Sequence, residues 1–532
     1  MRLAILAAVA AGAAAVAPPP NFVWILADDL NNDNSQDRLA IMPNLRRIAS
    51  SGAHFVNHVA AQPVCGPSRS SLLQGRFPHN AGYLCNIDGP SEEAYLKVAN
   101  NTVGTWLTSA GYHTAFVGKY INGLEGTVPS GWNYWSGFSS SAGTYNYYNS
   151  TPFNCSFARD GVTPTSPCTW TAMTGVHQAD FVGQRGVAQM QKAVADGLPF
   201  FVHLTPLMVH EGTCFGPHKD PMQYSRLDTY WERNLTAWGC DPGAKGDCSY
   251  TVSPCPTEKN AHAFDGVTAP HVPSWNATAS GPLPGAMDLA PVDAFVANRM
   301  DIGFRNRSVA LLDLDDLIGV VLDGIEALGV MNSTYIIFTS DNGFHQGEHR
   351  MLFGKEHPYE SDVSLPFYIS GPGVPAGAVL EYPTTHIDIT ATVVELAGAT
   401  VVGPALDGLS FAAAFSANPP APADWRDFQF SEHHCGPLTW RKVRRPLAGT
   451  NATYNMWCDK TTEVFDLVAD HWELKNTVDG EGAAFAAANG PLAEFLWTCA
   501  GAECNRPTAQ PVKPFDCYVV SQARVDEWAI GE

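Results

Sequence analysis

Cys65 opens the run CGPSRSSLLQGRFPHN, with Pro67, Ser68 and Arg69 directly behind it. The chain carries 13 cysteines, an odd number, so in an oxidising compartment at least one has a fate other than a disulfide. Two short polar pairs stand out: the diacid Asp28-Asp29 closes NFVWILADD, and Asp341-Asn342 follows YIIFTS. Cations and a histidine sit in equally compact settings, Lys119 in GKYING, Lys355 in FGKEHPYE and His210 in LTPLMVHEG. Taken singly, each has a plain reading: an acidic pair caps a helix or lines a loop, a lysine is solvated, a histidine is structural. Gathered at one place, they would supply oxygen donors for a hard cation and positive charge for an anion.

The flanking elements decide whether they gather. Asn21 to Ala27 is a continuous apolar run bounded by turn formers, the pattern of a strand buried on both faces. Similar runs recur at Thr114 to Gly118, Phe200 to Thr205, Tyr335 to Ser340 and Pro366 to Ser370. Between them, Leu314, Leu317, Val321, Ile325 and Leu328 fall at steps of three and four, one apolar face of a helix. Such alternation predicts an α/β sandwich around a largely parallel sheet, flanked by helices. Chemistry in such sheets collects beyond the carboxyl ends of the strands, where Asp28-Asp29 and Asp341-Asn342 both fall. The stretch SANPPAPA from Ser416 to Ala423 reads as a linker, separating a catalytic domain over 21–415 from a smaller α+β unit over 424–532.

Length and composition narrow the class. With 532 residues, 45% of them hydrophobic, the chain can bury a large core. Its net charge of −21 excludes nonspecific nucleic-acid binding, and an anionic substrate requires cations concentrated in one pocket. Residues 1–17 combine Arg2 with a short apolar run and read as a secretory signal, with an unclear cut before Pro18. No later run is long enough to span a bilayer. Asn-x-Ser/Thr sequons at Asn100, Asn149, Asn154, Asn234, Asn276, Asn306, Asn332 and Asn451 fit a secreted glycoprotein. Cys214, Cys240, Cys248 and Cys255 crowd one Pro/Gly-rich excursion; zinc is a weak alternative there, since no CxxC occurs. Cys155 with Cys168, Cys435 with Cys458, and Cys499 with Cys504 are the local pairs proximity suggests, although sequence alone leaves connectivity open.

Cys65-x-Pro67-Ser68-Arg69 with Gly75 six residues on resembles the signature of the type I, formylglycine-dependent sulfatases, an alkaline-phosphatase-like fold. The likeness extends over nearly the whole mature chain. It implies that Cys65 is oxidised to formylglycine by a formylglycine-generating enzyme, and that the hydrated aldehyde is the nucleophile. Without Cys65 twelve cysteines remain, enough for six bridges. The resemblance makes Asp28, Asp29, Asp341 and Asn342, with the residue at 65, ligands of calcium or magnesium. It assigns Arg69 to steadying the formylglycine, Lys119 and Lys355 to cradling the sulfate, and His210 to the sulfate ester. One position departs: where many relatives carry the histidine that collapses the hemisulfate intermediate, this chain has Ile121, followed by Asn122. His79 and His345 are the candidates for that base.

GWNYWSGF, YNYYNST and DNGFHQGEH resemble the N-acetylglucosamine-6-sulfatase branch, so the implied substrate is a sulfated carbohydrate or a small sulfate ester. A broad arylsulfatase, a phosphodiesterase or phosphonate hydrolase of the same superfamily, and an inactive sulfatase-like binding glycoprotein are the alternatives. The implied compartment is the secretory pathway, ending outside the cell, in a wall or periplasm, or in a lysosome.

Overall fold

The computed structural model describes residues 18–32, 38–86, 99–122, 126–138, 146–148, 150–212, 254–447 and 451–505. Residues 1–17, the expected signal segment, and Cys214, Cys240, Cys248, Asn149 and Asn234 lie outside the described residues.

A 10-stranded sheet organises the chain. From edge to edge its strands are Ala378–Leu380, Ala53–Phe55, Tyr368–Ser370, Thr334–Ser340, Asn21–Ala27, Phe200–Thr205, His113–Lys119, Tyr134–Phe138, Phe153–Ser156 and Thr169–Trp170. The central five, from Thr334–Ser340 to Tyr134–Phe138, are mutually parallel. The expected strand near Pro366 to Ser370 forms as Tyr368–Ser370, but runs antiparallel to both neighbours. The opening strand explains its own composition. Val23, Ile25 and Ala27 enter the core on one face, while Phe22, Trp24 and Leu26 enter the core on the other. A strand covered twice cannot alternate apolar with polar residues.

Helices Pro43–Ser51, Gln178–Ala195 and Ala294–Ala327 cover the first face. The helix expected from the 314–328 stripe is part of Ala294–Ala327, with Leu314, Leu317, Val321 and Ile325 all buried. Helices Cys65–Gln74, Val103–Ser109 and His386–Ala397 serve the second face. Cys65–Gln74 is buried along its full length. Gly75 ends it at φ 63, donating its N–H to Ser71 O, a left-handed cap that favours glycine.

A 4-stranded antiparallel sheet follows, Gln429–His433, Trp440–Arg445, Ala452–Trp457 and Thr462–Asp466. One face packs on helix Ala483–Leu496 through Phe430, Val443, Tyr454 and Val464. The other packs Trp440, Trp457 and Phe465 against Tyr359 and Val363. Two clamps join the sheets. Cys85 bonds Cys435, and the buried Glu432 accepts from His79 Nδ1 at 2.8 Å. The first corrects the local pairing of Cys435 with Cys458. Folding carries the turn after Gln429–His433 to within 5.5 Å, Cα to Cα, of Cys85, a contact 350 residues long that proximity in sequence cannot suggest. Cys155–Cys168 and Cys499–Cys504 form as expected, and Cys65 is the free, buried cysteine among the described residues.

Burial opposes both charges of the His79–Glu432 pair, yet each partner overrides it: His79 is raised above 6.5, and Glu432 is lowered from 4.5 to about 2. The contribution of His79 is complete below its unfolded value and disappears as pH rises through the raised folded one. That of Glu432 is complete above its unfolded value and disappears as pH falls toward about 2. Glu432→Gln should therefore destabilise by about 3–5 kcal/mol, most fully between about pH 4.5 and 6.5. Chemical denaturation across pH measures this, and a pH-independent loss would contradict it.

Candidate active site

Four adjacent strands deliver the expected residues from their carboxyl ends. Thr334–Ser340 leads into Asp341-Asn342 and Asn21–Ala27 into Asp28-Asp29. Phe200–Thr205 runs on toward His210, and His113–Lys119 ends on Lys119 itself. Helix Cys65–Gln74 points its first residue into the same place. The turn at Asp29 has φ 60, a left-handed conformation that aspartate tolerates better than bulky residues.

The buried Cys65 sulfur lies among the cations and acids of this edge. Lys355 Nζ approaches it to 2.9 Å, Lys119 Nζ to 3.4 Å, and Asp28 Oδ1 lies 3.6 Å away. Lys119 also donates to Asp28 Oδ2 at 2.7 Å, and Lys355 donates to Asp29 Oδ1. Arg69 donates to Asp341 Oδ2 and to the Lys119 carbonyl, at 2.7 and 2.5 Å, and lies 3.3 Å from Asp28. His210 Nε2 is 3.6 Å from Asp29 Oδ2. Asn342 Nδ2 donates to Asp29 Oδ1 at 2.7 Å. All nine sequence candidates therefore meet.

Three carboxylates here balance three cations. Burial opposes the charge on Asp28, but Lys119 and Arg69 hold it well below the usual carboxylate range; Asp29 is buried too, and Lys355 and His210 lower it. Burial pushes the Cys65 thiol up to about 12 against the pull of Lys119 and Lys355. At neutral pH it is an un-ionised thiol, a poor nucleophile.

Two buried acceptors, Asp29 Oδ2 and Asn342 Oδ1, have no hydrogen-bond donor. Such atoms are costly unless a cation meets them, and their hardness suits calcium or magnesium. Asp28, Asp29, Cys65 and His210 offer ligand atoms within 4.8 Å of one another. Asp341 is turned differently: Oδ1 accepts the amides of Asp29 and Asn342, and Oδ2 accepts Arg69.

Neither candidate for the missing base is free. His79 is engaged by Glu432 and by the Cys499 carbonyl, in the seam between the two sheets. His345 Nδ1 lies 2.9 Å from Asp362 Oδ1.

Other residues complete the support. Ser68 Oγ donates to the Asp341 carbonyl at 2.5 Å and meets His386 Nδ1 at 2.9 Å. Asn86 Oδ1 accepts the Gly66 amide at 2.8 Å, and Tyr147 donates to the His210 carbonyl at 2.7 Å. Trp440 and Lys442, from the small sheet, donate to the carbonyls of Glu356 and Pro358 and so brace the Lys355 segment. Arg307 reaches furthest. From helix Ala294–Ala327 it donates to the carbonyls of Asp29 and Val209, at 2.5 and 3.0 Å, with its guanidinium 4.1 Å from the Phe344 ring. One buried cation thus ties the turns carrying Asp29 and His210 to the residue after Gly343. Its signal in sequence is an arginine in step with the apolar stripe, at i, i+4 and i+7 with Leu311 and Leu314.

A phosphatase-like sheet with paired acids and cations at its carboxyl edge defines an ester hydrolase of anionic substrates. The model of the Sulfatase family matches residues 20–399, and the chain belongs to that family as a sulfuric ester hydrolase. An arylsulfatase of Volvox carteri is 28% identical over 95% of this chain and 79% of its own length. An N-acetylglucosamine-6-sulfatase of Capra hircus is 27% identical over 75% of this chain and 64% of its own. A protein solved with its substrate D-glucosamine-2-N,6-O-disulfate shares the fold at a TM-score of 0.62, with 20% identity over 90% of this chain and 97% of its own.

Arg307→Lys keeps the charge but loses the planar fork that reaches the two carbonyls from separate nitrogens. It should lower kcat by roughly 10- to 100-fold while the circular-dichroism spectrum stays native. Steady-state kinetics measure this, and an unchanged kcat would mean the two turns hold without Arg307.

Proposed function

We propose that the chain is a secreted sulfatase acting on sulfated sugars in the manner of an N-acetylglucosamine-6-sulfatase, with residue 65 matured to formylglycine. The observation that carries this reading is the contact of both Lys119 and Lys355 with the Cys65 sulfur. Two ammonium groups converging on a neutral thiol serve no purpose for the thiol; they suit an anion bound beside an oxygen nucleophile. The names of two relatives and the ligand of a structural neighbour support the sugar class.

Asp28, Asp29, Asp341 and Asn342 would hold calcium, with magnesium as the second choice. The oxidised residue 65 would supply a gem-diol oxygen to attack sulfur, its charge drawn down by the ion. Arg69 fixes the orientation of Asp341 and of the Lys119 backbone. Lys119 and Lys355 bind the sulfate oxygens, and their attraction strengthens as charge develops there. His210 donates Nδ1–H to the Glu211 carbonyl at 2.7 Å and so presents Nε2 to the ester side, while the Lys355 ammonium can supply the proton that the departing oxygen takes up. With three carboxylates against three ammonium or guanidinium groups, the added ion leaves the pocket positive within a chain of net charge −21. That contrast favours a single terminal sulfate over the interior of a polyanion.

The experiment is a substrate panel on secreted protein co-expressed with a formylglycine-generating enzyme. N-acetylglucosamine 6-sulfate should be turned over faster than an aryl sulfate, and both far faster than phenyl phosphonate. Preference for the phosphonate would overturn the reading in favour of a phosphonate hydrolase, and preference for the aryl ester in favour of an arylsulfatase.

Lys355→Ala should lower kcat more than it raises KM, because its contact strengthens in the transition state. Kinetics on the sulfated monosaccharide decide this. A change in KM alone would reduce Lys355 to a binding residue.

A further inference from the structure

A second group of ligand-bearing side chains lies beside the Lys355 segment and has no part in the scheme above. His345, His357 and Asp362 each present one ligand atom, all within 4.8 Å of one another. His345 Nδ1 is 2.9 and 3.0 Å from the two Asp362 oxygens, and His357 Nδ1 is 3.7 Å from Oδ2. A tetrahedral ion with bonds of about 2.0–2.2 Å needs neighbouring donors roughly 3.2–3.6 Å apart. The observed separations straddle that span, so small side-chain shifts suffice. We propose that His345, His357 and Asp362 form a binding site for a borderline transition-metal ion such as zinc or cobalt(II), and that its occupancy lowers turnover by shifting the Lys355 segment.

The donor set selects the ion. Two imidazoles and one carboxylate suit zinc or cobalt, whereas calcium and magnesium favour oxygen alone. Competing cations are turned elsewhere. Lys355 directs its Nζ to Asp29 and Cys65, and the groups acting most strongly on Asp362 are His345 and His357. The carboxylate is already oriented, since Asp362 accepts the His357 amide at 2.9 Å and Ser361 Oγ at 3.0 Å. Supporting bonds of that kind fix first ligands in metal sites. Gly354 seats the His345 ring: a Cβ there would lie 2.9 Å from Nε2. Asp362 and His345 are buried, while the His357 side chain keeps 12% of its surface and gives the ion a way in.

The link to turnover is one hydrogen bond. His357 Nδ1 donates to the Lys355 carbonyl at 3.1 Å. Ligation through Nδ1, the nitrogen 3.7 Å from Asp362 Oδ2, needs the lone pair that this bond's proton occupies, so the bond breaks when the ion binds there. Lys355, whose Nζ is 2.9 Å from the residue 65 side chain, then loses one of its backbone restraints.

The test uses the enzyme loaded with its resident hard ion and titrated with cobalt(II), whose visible absorption reports tetrahedral nitrogen coordination. Elemental analysis counts the ions. One additional ion per chain is expected, together with a fall in turnover of roughly tenfold or more at saturating zinc. His357→Ala should abolish both effects, and Asp362→Asn should weaken both if that variant is the better folded of the two. No additional ion, an ion bound equally well by His357→Ala, or full turnover with the ion in place would overturn the proposal. An ion that survives His357→Ala would belong instead to the Asp28, Asp29, Cys65 and His210 group.

Discussion

Buried charges must be paired, and the carboxyl edge of this sheet is built on that constraint. Asp28, Asp29 and Asp341 are fully buried. None could stay ionised there alone. Arg69, Lys119 and Lys355 arrive from a helix, a strand end and a loop to meet them. Each cation is therefore held at a fixed point by a carboxylate before any substrate arrives. The arrangement costs folding energy, because well-packed apolar residues would be at least as stable. What it gains is a rigid, pre-charged pocket, in which electrostatic stabilisation needs no reorganisation at the moment of reaction.

The rest of the fold supports that pairing. The central strand Asn21–Ala27 is covered on both faces, so the turn carrying Asp28 and Asp29 starts from a fixed base. Arg307 secures the carbonyl side of that turn from the long helix beneath. The small sheet braces the Lys355 segment through Trp440 and Lys442, and is itself tied back by Glu432 and Cys435. Segments of the chain hundreds of residues apart thus converge on one side chain at position 65.

Much of this was legible in the sequence, for a physical reason. Doubly covered strands read as unbroken apolar runs, and strand ends then locate the acids, so NFVWILADD and YIIFTSDN announced two corners of the site. The reading was poorest where long-range contacts decide. The pairing of Cys435 depends on where a strand of the small sheet docks, which no local spacing encodes. His79 looked available for catalysis because its partner, Glu432, lies 353 residues away. Arg307 lies seven residues before Leu314, outside the 314–328 stripe, although a cation in step with that buried face was itself the clue.

The central claim is that residue 65 works as an aldehyde hydrate and not as a thiol. Mass spectrometry of the peptide containing residue 65, from active protein secreted by cells that carry a formylglycine-generating enzyme, tests it most directly. The expected result is an aldehyde in place of the thiol, captured by a hydrazide probe, in a fraction that rises in step with specific activity. Fully active enzyme with an intact cysteine at position 65 would contradict it.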